Sequence, residues 1–384
     1  MKSNYKRIGD CIQLVDERNI NVRVKMLLGL SISKEFIPSV ANIVGTDMEN
    51  YKIIRRNQFA CSTMQVRRDK KMPIALYTNI DEAIISAAYP IFEVADTKLI
   101  LPEYLMMWFC RMEFDREACF FAIGGVRGSI EWEDFCNMQL PVPSITKQKE
   151  IVKEYNVLVD RINLNNRIIQ KLEETARAIY KQWFVDFEFP NENGNPYKSN
   201  GGEMIESKMG EIPKSWKIGC LFDLLELQRG FDLPTQDRKE GIYPIYASTG
   251  ITEKHNEFKV KGPGIVTGRS GSLGEVFYVD EDFWPLNTTL WVKLFKNATP
   301  IFSFHVLNSI NIMDYNSGSA VPTLNRNHIH LHQLIVSQMD IIERFEFIEK
   351  KLFTQQKLVT QQQIALDNFK NVLLSKMATM EDNL

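Results

Sequence analysis

The sequence predicts an α+β protein with a pseudo-two-fold internal repeat: two mixed α/β globular domains, each followed by one long helix of coiled-coil type. Three observations predict it. A heptad-patterned stretch at 151–184 recurs at 341–374, 190 positions on, without gaps. The segments ahead of each copy echo one another in the same order. A turn-rich linker separates the first long helix from the second globular segment. With 384 residues the chain exceeds the roughly 100–200 of one domain, and each half can bury a core.

The elements follow in chain order. Tyr5-Lys6-Arg7-Ile8-Gly9-Asp10-Cys11 resembles Trp216-Lys217-Ile218-Gly219-Cys220, and Tyr51-Lys52-Ile53-Ile54 resembles Phe258-Lys259-Val260-Lys261. Ala75-Leu76-Tyr77 is echoed by Val276-Phe277-Tyr278, and Phe92-Glu93-Val94 by Trp291-Val292, all β-rich runs. Pro102-Glu103-Tyr104-Leu105 and the stretch Phe302 to Leu307 each read as a short helix. The first long helix follows Pro141-Val142-Pro143, with Ser144 or Thr146 as its cap. Ser337 is the matching cap of the second. The expected boundaries are 1–145 for the first globular domain, 146–189 for its helix and 190–213 for the linker. The second domain is expected at 214–336 and its helix at 337–384.

Ile151, Tyr155, Leu158, Ile162, Asn165, Ile169, Leu172, Ala176, Ile179 and Trp183 keep a 4-3 spacing. The second helix is read the same way through Ile341, Phe345, Ile348, Leu352, Gln355, Val359, Gln362, Leu366, Phe369 and Leu373. A 3.5-residue period holds one stripe against a partner helix. Asn165 and Gln355 fall at matching seam positions, where a polar group fixes register at some cost in stability.

Composition narrows the function. Apolar residues make up 44% and charged residues 24%, the balance of an ordinary globular protein. No run approaches the ~18 apolar residues of a membrane helix, and the N-terminus has no apolar signal core, so a cytoplasmic location is expected. The six cysteines form no C-x-x-C pair and read as reduced thiols. A net charge of −2 excludes DNA coating by a global positive field.

Each globular segment ends in the same way. The first has Gly124-Gly125-Val126-Arg127-Gly128-Ser129-Ile130-Glu131-Trp132, then Leu140-Pro141-Val142-Pro143, then Gln148-Lys149-Glu150-Ile151. The second has Gly318-Ser319-Ala320-Val321-Pro322-Thr323-Leu324, then Leu334-Ile335-Val336, then Gln338-Met339-Asp340-Ile341. Tyr243 to Ile251, Gly264 to Gly274 and Phe283 to Thr289 complete the pattern in the second copy. This ordered duplicate resembles the specificity subunit of type I restriction–modification systems, over nearly the whole chain. Ser337 stands where that family usually has proline.

The resemblance implies two target-recognition domains, each reading half of a split duplex DNA target. It implies that the two long helices pack antiparallel as a spacer. It also implies partners: two methyltransferase (modification) subunits, and restriction/translocase subunits that join to cleave. S-adenosylmethionine, ATP and Mg would belong to those partners, leaving this chain without cofactor and without catalysis. A helix of about 34 residues is roughly 50 Å long. That length suits two readers about one DNA turn apart, ~34–36 Å.

There is no G-x-x-x-x-G-K-[ST] loop. Asn195-Pro196-Tyr197 lacks the second proline of an amino-methyltransferase motif and reads as a turn. His328, His330 and His332 alternate, placing them on one strand face. No carboxylate or cysteine flanks them at ligand spacing, so a partly exposed face is read there rather than a metal site. The string Gly268, Gly271, Gly274 fits a hairpin turn, a loop that meets a phosphate, or both.

Candidate DNA contacts are local cations mixed with amides, because base reading needs hydrogen-bonding side chains and phosphate contact needs charge. In the first domain these are Arg55, Arg56, Arg67, Arg68, Lys70 and Lys71, with Arg127 between glycines. In the second they are Arg229, Lys254, His255, Arg269, Ser270 and Arg326. Two other readings stay open: a two-domain protein–protein interaction scaffold without DNA readout, and a fused methyltransferase.

Overall fold

A computed structural model describes residues 4–39, 46–125, 128–318 and 320–379. The chain divides into two compact units, residues 1–165 with 361–384, and residues 166–360. The expected fold class holds: mixed α+β portions joined by two long helices that pack antiparallel.

In the first unit β1 (Tyr5–Arg7) leads into β2 (Ile12–Val15). Then come β3 (Lys52–Ile54), β4 (Gln58–Cys61), the short α1 (Val66–Asp69) and β5 (Ile74–Leu76). β6 (Ala83–Ile85) and β7 (Ile91–Val94) follow. The central sheet has the order β2-β7-β4-β5, all antiparallel. Phe92 on β7 stands between Leu14 and Phe59, and the Phe59 and Phe92 rings stack at 5.0 Å. Helices α2 (Pro102–Phe109), α3 (Met112–Phe121) and α4 (Trp132–Asn137) bring Phe109, Phe114 and Phe135 into the same core. β8 (Gln139–Pro141) returns to pair with β1 before α5 (Ile145–Phe184) begins.

The second unit repeats this plan. β9 (Lys217–Cys220) and α6 (Leu221–Leu224) lead into β10 (Leu225–Arg229). A hairpin of β11 (Tyr243–Ala247) and β12 (Gly250–His255) follows. β13 (Gly264–Gly268), β14 (Val276–Val279) and β15 (Thr289–Phe295) build a sheet of order β10-β15-β13-β14. In both central sheets the chain-order sequence across the sheet is first, fourth, second, third. Then α7 (Pro300–Ser309), α8 (Arg326–His330) and β16 (Gln333–Val336) precede α9 (Met339–Lys376). β16 pairs with β9 as β8 pairs with β1. The echoes at 5–11 and 216–220, 75–77 and 276–278, 92–94 and 291–292, and 102–105 and 302–307 therefore fall on equivalent elements, whereas 51–54 lies on β3 and 258–261 carries only an isolated bridge at Val260.

The two long helices differ in their own caps, but each caps a short helix of its unit. Ser144 Oγ accepts the Lys147 N–H at 3.4 Å, as an N-cap should. Ser337 does not cap; its hydroxyl donates to Gln338 O. Gln148, fully buried, accepts the Leu101 N–H at 2.9 Å and so caps α2, while donating to Leu99 O and Pro143 O. Glu346 of α9 does the same for α7, accepting from Ile301 N, Phe302 N and the Thr299 hydroxyl. A carboxylate there is favoured by the helix's free N–H groups.

The α5 seam is as the spacing predicts: Ile151 through Trp183 at 4-3 steps are all buried or half-buried. Ile151 shares a core with Leu374 and Met377, Asn165 Nδ2 donates to Gln362 at 3.2 Å, Gln356 Nε2 donates to Glu173 at 2.9 Å, and Trp183 packs on Phe345. As numbers rise along α5 they fall along α9, which is the antiparallel arrangement.

The α9 seam differs from the expected one at alternate positions. Phe345, Leu352, Val359, Leu366 and Leu373 face inward, but the steps between them are filled by Glu349, Gln356, Gln363 and Lys370. Ile348 and Gln355 face solvent instead, and Phe369 is 64% exposed. Both choices keep a 3.5-residue period. Polar pairing decides between them: Glu349 meets His305 of α7 at 3.3 Å and Gln356 meets Glu173. No helix among the described residues is long and apolar enough to cross a membrane.

Candidate nucleic-acid interface

One corner of the second unit gathers three of the expected cations. β13 ends at Gly268, where a Cβ would stand 2.0 Å from Ser272 O. The next two N–H groups, of Arg269 and Ser270, both donate to Thr288 O. Residues 322–324 cross this turn: Leu324 N–H donates to Arg269 O at 2.8 Å and Gly271 N–H to Pro322 O at 3.0 Å. Asn316 Oδ1 accepts from Gly318 and Thr323 N–H. Gly271 and Gly274 take φ of +90° and +99°, so the glycine string forms the hairpin turn between β13 and β14.

Beside this turn lies an open groove of about 910 Å³, lined by Arg229, Arg269, Lys293 and Arg326 among polar neighbours that include Asp232 and Asn327. Arg269 is half-buried and steadied by a bond from Nη1 to Asn287 O. Arg229 stands 3.7 Å from Asp232, and Lys293 3.4 Å from Glu226. Arg326 opens α8, is exposed, and has no carboxylate partner among the described residues. Ser270 is half-buried in the turn, and Lys254 is exposed on β12. His255 is not presented: it is 4% exposed, its Nδ1 accepts the Lys239 N–H, and its ring meets Trp284 edge-on.

The first unit builds the same corner from different side chains. Ile130 N–H donates to Thr63 O at 3.0 Å, as Leu324 does to Arg269. Ile123 and Ser129 form an isolated bridge, as Asn316 and Leu324 do. Arg67 is committed to the backbone there, its guanidinium donating to Gly124 O and Ala122 O. Arg68 pairs with Asp69. Lys70 and Lys71 are exposed and have no partner among the described residues. Their position is fixed from below by Asp115, which accepts the Met72 N–H at 3.0 Å and pairs with Lys34 at 2.8 Å. Burial pushes the Lys34 ammonium pKa down despite that partner.

Arg55 and Arg56 lie before β4 and the 65–71 cluster after it, so the strand stands between them. Arg55 is locked between Glu17 and Glu82, and its hydrogen bonds hold the Glu17 carboxyl below the usual range. Arg56 is exposed. Arg127 lies outside the described residues.

The histidine trio is not on a strand. Asn325 Oδ1 accepts the Asn327 N–H and starts the helical turn α8, so His328 points out while His330 turns in. His330 Nε2 accepts the Leu227 N–H at 2.9 Å, and His332 Nδ1 lies 2.6 Å from the Tyr315 hydroxyl. Burial lowers the pKa of both. They hold the fold. Sequence reading missed Lys293 and Asp232; alternation along β15, with Val292 buried and Lys293 exposed, is the signal that could have found the lysine.

Residues 213–339 match the family model described as type I restriction modification DNA specificity domain. The chain is 24% identical over 151 residues to the type I restriction enzyme HindI specificity subunit of Haemophilus influenzae, covering 39% of this chain and 32% of that one. It is 28% identical over 100 residues to the MjaIX specificity subunit of Methanocaldococcus jannaschii, covering 26% and 22%. The chain thus spans about a third or less of the curated relatives it matches. The crystal structure of a type I restriction–modification S subunit from M. genitalium superposes with a TM-score of 0.62 at 13% identity, over 98% of this chain and 96% of that one.

Proposed function

We propose that this chain, which resembles the type I restriction–modification specificity subunits and shares their fold, reads a bipartite duplex DNA target for partner enzymes and performs no chemistry itself. Residues 1–145 and 214–336 are then the two recognition domains, one per half-site. The long helices set the gap. Two methyltransferase subunits and the restriction/translocase subunits assemble on the chain in the cytoplasm, bringing S-adenosylmethionine, ATP and Mg with them.

The observation that carries this reading is the duplicated corner. In each unit a turn after the second strand of the central sheet is crossed by a loop, and cations gather on the turn. Such a corner offers what a duplex needs: charge for phosphates and planar forks for base edges. Arg269 and Arg326 are the best-placed readers, Arg269 because its stem is already ordered. Arg56, Arg68, Lys70 and Lys71 suit phosphates, as do Arg229 and Lys254. Arg55 and Arg67 position the frame rather than reach the ligand. With a net charge of −2, affinity must be shared with the partners.

Methylome sequencing of the host with and without this gene tests the reading. Expected is the loss of one bipartite methylated motif. An unchanged methylome would favour the protein-scaffold alternative.

A further inference from the structure

Ile123 is an apolar side chain held out to solvent by an ordered backbone. It is 69% exposed. Its N–H donates to Ser129 O at 2.8 Å, and the Ser129 N–H donates back to Ile123 O at 2.9 Å. The carbonyls on either side of it, of Ala122 and Gly124, accept from Arg67 at 2.6 and 2.9 Å. Gly128 lets the loop close against that arginine, since a Cβ there would meet Arg67 Cβ and Ile123 O at 3.2 Å.

Single exposed apolar residues are ordinary on protein surfaces. This one has further exposed apolar residues close to it along the chain and through its hydrogen bonds. Phe120, at the end of α3, is 81% exposed, and Met64, next to the Thr63 that anchors the loop, is 44% exposed. The same turn carries the exposed cations Arg68, Lys70 and Lys71. Cations around an apolar tip fit a partner that is anionic outside and offers apolar groups within. Duplex DNA is that partner: its phosphates meet the cations, and the 5-methyl group of thymine is the apolar group displayed in its major groove. A tip whose backbone is fixed before binding loses little freedom on contact.

We propose that Ile123 is a sequence-reading side chain of the first unit, packing against a thymine 5-methyl group while Phe120 and Met64 exclude water around it. This rests on the DNA-reading function above and names part of what that corner reads.

The test uses the chain assembled with its methyltransferase partner. The probe is a duplex carrying the host's methylated motif. A matched set replaces each thymine of both half-sites, one at a time, by deoxyuridine, which lacks the methyl group. Expected is one replacement that weakens binding about fourfold, the worth of one buried methyl. That same replacement should cost the Ile123→Ala protein nothing further, and should still weaken Ile123→Val. The inference is overturned if no deoxyuridine probe differs from the parent duplex. It is equally overturned if Ile123→Ala keeps the wild-type sensitivity. A host with no bipartite motif removes the DNA-reading function itself, and this role with it.

Discussion

The two globular units agree in the strand order of their central sheets and differ in what they present. Both central sheets have the same strand order, and in both a loop crosses the turn after the second strand. In the first unit two of the cations near that sheet are used internally, Arg55 on two carboxylates and Arg67 on loop carbonyls, and apolar groups point outward. In the second the corner is an open polar groove, with Arg326 free of carboxylates among the described residues. The frame of both corners is made largely of backbone hydrogen bonds, supported by glycine where a side chain would collide. A frame of that kind leaves most outward side chains free to change, which is what two readers of different half-sites require.

The comparison can be broken most forcefully at Asp115. Asp115→Ala leaves Lys34, with a side chain only 6% exposed, as an uncompensated buried charge. The expected cost is about 3–5 kcal/mol. Hydrogen exchange resolved by peptide should show it in the first unit alone; equal loosening of the second would deny that the units are separate. Arg269→Ala comes next, with an expected loss of about 1–3 kcal/mol in DNA affinity of the assembled complex. A salt titration sharpens it: a slope reduced by about one marks a phosphate contact, and an unchanged slope with relaxed sequence marks a base contact. Unchanged affinity at every salt concentration would discard the residue.

A smaller effect separates the two faces of α9. Leu352→Ala should cost about 2 kcal/mol, while Gln355→Ala should stay within about 0.5 kcal/mol; chemical denaturation measures both. The smallest expected effect is on pH. All five histidines lie in the second unit. His330 must be neutral to accept the Leu227 N–H, and burial holds its pKa below the ordinary value. Its contribution is therefore complete above about pH 6.5 and is lost as pH falls toward the lowered folded value. Between pH 7 and 5.5 the Leu227 amide should lose exchange protection, after correction for intrinsic rate, with no histidine-linked change in the first unit.

Much of this was legible in the sequence, for identifiable reasons. The α5 stripe could be read because its apolar residues admit one phase. The α9 stripe admits two, and the choice lies with Glu349 and Gln356, whose partners are far away in sequence or on another helix. The histidine alternation suited a strand, but Asn325 opens a helical turn there. The cations of the corner were visible as cations. Which of them are already committed was not, because Glu17, Glu82 and the Ala122 carbonyl reach Arg55 and Arg67 only through the fold.

The most direct measurement is the methylome of a host carrying the Arg269→Ala, Arg326→Ala double variant. Expected is a motif that keeps one half-site and relaxes the other, with the gap unchanged. A motif lost as a whole while the protein stays folded, or kept intact in both halves, would contradict the assignment of one half-site to each unit.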